Sequence, residues 1–174
     1  MYLIREVSPG DAEELRHYAA RLFAERLPGV YERKAPTLEE ETEYIRAHID
    51  TPGSTMLVAT ADGHIAGLIG FQARQLPQER HVGMFGVSVD RRHRGEGIGS
   101  ALISALLEWA PRNGITRVEV EAFAVNEGAI RLYERFGFER EGCRRGAVMI
   151  DGTPADVVML ARLMDAGGQG GRDG

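Results

Sequence analysis

The residues with the clearest chemical potential run from 87 to 100: Val-Ser-Val-Asp-Arg-Arg-His-Arg-Gly-Glu-Gly-Ile-Gly-Ser. A β-branched run ends at Val89. A basic, glycine-rich turn follows, and apolar residues then recur at Ile98, Ala101, Leu102, Ala105, Leu106 and Trp109, the spacing of one helix face. A strand that feeds such a turn at a helix start makes an anion site. The first helical N–H groups have no internal partner, and the helix dipole favours negative charge there. Glycine lets the backbone come close to a ligand, and Arg91, Arg92 and Arg94 add positive charge. Two common anions are disfavoured by spacing. The dinucleotide pattern G-x-G-x-x-G requires glycine where Ser100 stands. The phosphate loop G-x-x-x-x-G-K-[ST] is absent, and Lys34 is the chain's only lysine. What remains is R-x-x-G-x-G, from Arg92 to Gly97, continued by Ile98, Gly99 and Ser100.

A second segment follows at 126–138, Asn-Glu-Gly-Ala-Ile-Arg-Leu-Tyr-Glu-Arg-Phe-Gly-Phe. Asn126 is a good N-cap, Ala129, Leu132, Tyr133 and Phe136 share a helix face, and Gly137 suits the position after the last turn. Taken with the glycine turn, this resembles the N-x-x-A-x-x-L-Y-x-x-x-G-F pattern of the GNAT superfamily of N-acyltransferases, whose R-x-x-G-x-G loop holds the pyrophosphate of acyl-CoA. The resemblance implies transfer of an acetyl group from acetyl-CoA, the cosubstrate, to an amine, with no metal. It places the cofactor on the strand residues Val87, Ser88 and Val89, on Arg92, Arg94, Gly95, Gly97, Ile98, Gly99 and Ser100 of the loop, and at Asn126. It makes Tyr133 the proton donor to the leaving thiolate. Glu121, which precedes Asn126 as a catalytic glutamate does in relatives that acetylate protein N-termini, becomes the group that deprotonates the acceptor. His81, Glu79 or a water are the alternatives for that step. His17, His48, His64 and His93 read as surface residues.

The acceptor is expected to be a primary amine of a small molecule or of a protein N-terminus, attacking directly in a ternary complex. Glu39, Glu40, Glu41 and Glu43 suit the first turn of a solvated helix, or could attract a cation. Arg144 and Arg145 could instead meet an acceptor carboxylate. The alternative function is an acyl-CoA-binding regulatory module that transfers nothing. Retention of Asn126, Tyr133 and Glu121 favours an enzyme.

The elements that must position these groups are legible in outline. Tyr2 to Val7 reads as a strand. A helix carries Leu15, Ala19, Leu22 and Phe23, and Thr37 with Glu40 caps a second helix that runs to about Ile49. Asp62-Gly63 joins two strands as a hairpin. Residues 80–89 lead into the glycine turn, and its helix ends at Pro111–Gly114. A strand at 117–124, a helix at 127–136 and two closing strands, near 138–150 and 156–164, complete the order β-α-α-β-β-β-α-β-α-β-β. The fold class is α/β. By resemblance it is a GNAT fold, a mixed, largely antiparallel sheet of about six to seven strands with helices on both faces. Residues 1–165 are expected to form one domain and 166–174 a flexible, glycine-rich tail. The 174 residues, 43% hydrophobic and 27% charged, fit a globular chain. A net charge of −5 disfavours a nucleic-acid partner, and no apolar run approaches the length of a membrane span. One cysteine, Cys143, permits no intrachain disulfide, which suits a reducing, cytoplasmic setting. Arginine dominance over lysine suggests a bacterial source, and a monomer or homodimer is expected.

Overall fold

The computed structural model describes residues 1–164, so the expected tail at 166–174 lies outside the described residues. Among the described residues, seven strands and four helices follow in order: β1 Tyr2–Glu6, α1 Ala12–Ala24, α2 Leu38–Ile49, β2 Thr55–Ala61, β3 His64–Ala73, β4 Val82–Val89, α3 Ile98–Arg112, β5 Arg117–Phe123, α4 Glu127–Arg135, β6 Glu139–Ile150 and β7 Thr153–Leu163. The strands form one sheet in the order β1-β2-β3-β4-β5-β7-β6. Every neighbouring pair is antiparallel except β4 and β5. The mixed, largely antiparallel α/β fold expected from the sequence is therefore present, in the same element order.

The alternation of β2 shows how the two faces are built. Leu57, Ala59 and Ala61 turn to one face, where they pack with Ile98, Leu102 and Leu106 of α3 and Ile130 of α4. Met56 and Val58 turn to the other, against Leu15 and Tyr18 of α1 and Ile45 of α2. A strand's side chains point to opposite faces with period 2, so a strand apolar at both registers needs cover on both sides. Leu102 and Ile103 are fully buried and Leu106 is 1% exposed. Each such side chain contributes about 1.5–3 kcal/mol relative to solvent exposure. That burial fixes the axis of α3, and with it the place where the helix begins.

Two turn details refine the sequence reading. Asp62-Gly63 and Asp151-Gly152 both have positive φ at both residues, the backbone of a two-residue type I′ hairpin. The second hairpin is consequently tighter than expected. Thr153 and Pro154 already belong to β7, opposite Ile150 and Met149. Pro154 is tolerated there because β5 pairs β7 only from Val157 onward, so no ladder bond is lost on that side.

Candidate active site

The site arises from an interruption in the sheet. The β4–β5 ladder holds for three residue pairs, Val82 with Arg117, Gly83 with Val118 and Met84 with Glu119, and then stops. Beyond Met84 the two strands diverge around a cleft of about 900 Å³. Asp90 N–H donates to Ala66 C=O, and Val82 C=O accepts from Arg74 N–H, so the even-numbered residues of β4 turn their backbone groups to β3. By alternation, the backbone groups of Phe85, Val87 and Val89 point into the cleft. The Val89 carbonyl accepts from Arg94 Nε at 3.0 Å. Val87 is left with an N–H and a C=O facing open space. Ser88 differs from its expected role: its backbone turns to β3, and its Oγ is 2.8 Å from Tyr18 Oη.

The glycine turn stands at one end of this cleft. Gly95 and Gly97 have φ of +84° and +82°, a conformation L side chains rarely adopt, and no atom lies within 4 Å of where their Cβ atoms would be. The turn therefore uses glycine for its backbone path and leaves the space beside it empty. The first residue to close a helical bond is Ala101, to Gly97 C=O. The N–H groups of Ile98, Gly99 and Ser100 remain without intrahelical partners, while the Ile98 side chain is in the core. Asp90 caps the preceding turn by accepting from Arg92 N–H, and its carboxylate also takes the Arg92 guanidinium at 2.9–3.0 Å and Arg21 Nε at 3.1 Å. These bonds hold the Asp90 carboxyl well below the usual carboxylate range. Arg94 makes a bidentate pair with Glu25, at 2.7 and 3.0 Å, just past the end of α1. Two of the three expected cationic contacts are thus tied to carboxylates of the chain itself. What the turn presents to an anion is mainly its backbone N–H groups.

The other wall is α4. Asn126 caps it by accepting from Ala129 N–H at 3.2 Å. A Cβ on Gly29 would lie 2.5 Å from Asn126 Nδ2, so the segment between α1 and α2 passes directly over the cap. Tyr31 of that segment meets Phe123 edge-to-face at 4.8 Å. Tyr133 lines the cleft, is 6% exposed, and packs against Phe85 with ring centroids 5.6 Å apart. Its hydroxyl makes no hydrogen bond among the described residues. Burial pushes the phenol up to about 12, so it stays protonated across the physiological range.

The expected bases are distributed differently. Glu121 lines the cleft, but its carboxylate is ion-paired with Arg144 across β7. Glu119 pairs with Arg74 at 2.7 Å and with Arg117 at 2.8 Å. Neither carboxylate is free. His81 is exposed, Glu79 pairs with Arg74, and neither side chain reaches the cleft. The expectation for His48 is overturned: it is 3% exposed and lines the cleft. Glu41, Ile45 and His48 are the buried residues of α2, at i, i+4 and i+7. That single stripe, anchored by Ile45, is the sequence signal that could have placed His48 inside.

A second space of about 610 Å³ lies on the α1–α2 side of the sheet and meets the cleft at Tyr44, Gly86, Val87 and Ser88. Glu41 is in its wall, 5% exposed and without a hydrogen-bond partner among the described residues. Burial raises its carboxyl above the ordinary value. Arg33 and Lys34 line the same space. Among the described residues no helix is long and apolar enough to cross a membrane, and no group of three or more His, Cys, Asp or Glu side chains is placed to hold a metal ion.

Comparison with known proteins gives this geometry its context. Residues 16–138 match the acetyltransferase (GNAT) family. The chain is 34% identical over 115 residues to the L-amino acid N-acetyltransferase AaaT of Escherichia coli, covering 66% of this chain and 71% of that protein. It is 35% identical over 95 residues to the N-acetylaspartate synthetase of Rattus norvegicus, covering 55% of this chain but only 31% of that one. Among solved structures, a GNAT-family acetyltransferase from Streptococcus pneumoniae superposes with a TM-score of 0.88 at 28% identity, over 94% of this chain and 99% of its own. An acetyltransferase from Salmonella typhimurium, solved with its cofactor acetyl-CoA, shares the fold with a TM-score of 0.84 at 20% identity, over 94% of each chain. The chain belongs to the acetyltransferase (GNAT) family and is an acetyl-CoA-dependent N-acetyltransferase.

Proposed function

We propose that the protein transfers the acetyl group of acetyl-CoA to the primary amine of a small molecule that also carries an anionic group, by direct attack in a ternary complex. The observation that carries this reading is the 610 Å³ space that opens onto β4 at Gly86, Val87 and Ser88. It holds both charge signs: the buried, unpaired Glu41, and Arg33 and Lys34, which make no ion pair among the described residues. A zwitterionic amine matches that arrangement, with its carboxylate toward Arg33 and Lys34 and its ammonium toward β4, where the space meets the cleft. The relative named an L-amino acid N-acetyltransferase supports the same substrate class.

The N–H groups of Ile98, Gly99 and Ser100 receive the pyrophosphate beside Gly95 and Gly97. The open space at those glycines and the free helix start fit a diphosphate. The unpaired backbone of Val87 serves the pantetheine arm, and its N–H faces the place where negative charge develops on the acetyl oxygen. Tyr133 donates its proton to the leaving sulfur. A buried phenol near 12 is a weaker acid than a thiol, whose ordinary pKa is ~8.5. Transfer is therefore assisted when the new amide nitrogen returns a proton to the phenolate. Glu121 and Arg144 form a charged wall beside the acceptor.

The test is a turnover assay with acetyl-CoA against amino acids, peptides with free N-termini, polyamines and aminoglycosides. Turnover is expected with amino acids or close analogues. Turnover confined to polyamines or peptide N-termini would contradict the zwitterion reading.

A further inference from the structure

We propose that His48 is a catalytic residue, the base that takes the proton from the acceptor ammonium through its Nε2; this rests on the amine acetyltransfer proposed above. Glu121, the carboxylate that lines the cleft, is ion-paired with Arg144, Glu41 lines the adjoining space and not the cleft, and a lysine-like ammonium, with an ordinary pKa near ~10.4, is almost wholly charged at neutral pH. The cleft therefore needs a proton acceptor that is not already engaged. His48 has its Nδ1 2.8 Å from the Tyr44 carbonyl. A carbonyl only accepts, so Nδ1 carries the hydrogen, and the neutral ring presents a bare lone pair at Nε2.

The strands beneath His48 keep that lone pair accessible. A Cβ on Gly70 would lie 2.9 Å from Nε2, 3.3 Å from Cδ2 and 3.4 Å from Tyr44 Oη. The imidazole edge thus rests on bare backbone at Gly70. Gly70 is paired directly with Gly86 of β4, and nothing lies within 4 Å of where a Gly86 Cβ would be. Directly paired residues project to the same face. Two glycines side by side consequently put no strand side chain between Nε2 and the open edge of β4, with Tyr44 Oη beside the gap. Any side chain at either position would narrow it.

Burial pushes the imidazole below its ordinary value, partly opposed by the Tyr44 carbonyl, so the neutral form prevails at pH 7. The titratable groups that share the cleft are Tyr44 from the same helix, Tyr31 and Arg33 from the segment before α2, Arg74 just past β3, Arg94, Glu121 and Tyr133. Arg74, Arg94 and Glu121 are held by ion-pair partners. Arg33 has no ion-pair partner among the described residues.

The proton balance closes. The ammonium gives one proton to Nε2, which becomes imidazolium and later releases it to solvent. The freed nitrogen lone pair forms the C–N bond to the acetyl carbonyl carbon. The C–S bond breaks with its electron pair on sulfur, sulfur takes the Tyr133 proton, and the nitrogen's second proton returns to the phenolate. The products are amide, thiol and one released proton.

The test is the pH profile of kcat/KM for wild type, His48→Asn and Gly70→Ala, on one acceptor, with acetyl-CoA binding and thermal melting as fold controls. His48→Asn keeps a donor near Nδ1 and removes Nε2. It is expected to lower kcat at neutral pH by about 10²-fold or more, leave acetyl-CoA binding unchanged, and recover as pH approaches the amine pKa. Gly70→Ala keeps the imidazole but sets a methyl against Nε2, and should reproduce the defect. It decides the question if His48→Asn does not fold. A loss equal at every pH, or wild-type turnover in the folded variants, overturns the assignment while leaving acetyl transfer standing. Absence of turnover in wild type with every amine removes the proposed function, and this inference with it.

Discussion

Met84 and Glu119 form the last paired rung of the β4–β5 ladder. One residue further, the odd-numbered backbone groups of β4 have no strand to bond, and one face of the opening is lined by Tyr133. An unpaired strand edge inside a domain leaves donors and acceptors that must be satisfied by water or ligand. In the reading proposed above, an extended cofactor arm supplies the missing strand, with its pyrophosphate at the start of α3.

Tyr133→Phe tests the proton donor. The ring packs against Phe85 and Phe138, and its hydroxyl makes no hydrogen bond among the described residues, so stability should change by less than about 1 kcal/mol. We expect kcat to fall about 10²-fold with acetyl-CoA affinity unchanged. A Phe variant that turns over like wild type removes Tyr133 from the mechanism.

Glu121→Gln separates a wall from a base. The variant breaks a half-exposed ion pair with Arg144, an interaction worth about 1 kcal/mol or less. A loss of up to about fivefold, carried by KM and uniform across pH, is expected. A pH-dependent loss that recovers in alkali would instead make Glu121 the base and displace His48.

Arg94 and Glu25 are expected to act together as a tie between α1 and the glycine turn. Arg94→Lys keeps the charge but loses the fork that spans Glu25 and Val89 C=O. Glu25→Gln removes the other half. Each should weaken acetyl-CoA binding by about tenfold, measured by calorimetry. A defect in Arg94→Lys alone would mean that Arg94 contacts the cofactor directly.

Acid stability should depend on Asp11. Arg5 donates to it at 2.6 and 2.8 Å, and Ser8 also bonds to it, which lowers its carboxyl to about 2. A folded pKa below the unfolded value gives stability that is present above about pH 4 and lost as pH falls toward 2. Solvent screening limits the contribution to about 1 kcal/mol. Asp11→Asn should be less stable at pH 7 by that amount, with a flatter melting profile below pH 4. Identical acid profiles for the two proteins would contradict this.

The glycine turn, the α4 cap and the element order were legible in sequence because each is a local matter of φ, capping and periodicity. The ion pairs were not. Asp90 adjoins Arg92 in the chain, but Glu25 lies 69 residues from Arg94, brought to it by the packing of α1 against the turn after β4, and Arg144 lies 23 from Glu121, brought to it by sheet register. His48 differs: the stripe of Glu41, Ile45 and His48 marks a buried helix face, but nothing local says what covers it. Its place near the basic end of α2 reads as surface, and its burial depends on Gly70, on a strand 22 residues away.

The central claim is that acetyl-CoA occupies the gap between β4 and β5 with its pyrophosphate on the α3 turn. The most direct measurement is calorimetric titration of acetyl-CoA into wild type and Gly97→Asp, paired with melting curves. The space beside Gly97 is open, but its φ of +82° and the neighbouring helix start make an aspartate there both strained and repulsive to a diphosphate. Wild type should bind and gain about 2.7 kcal/mol of stability at ~100 times Kd, while the folded variant should show neither heat nor shift. Equal binding by the two proteins would contradict the account.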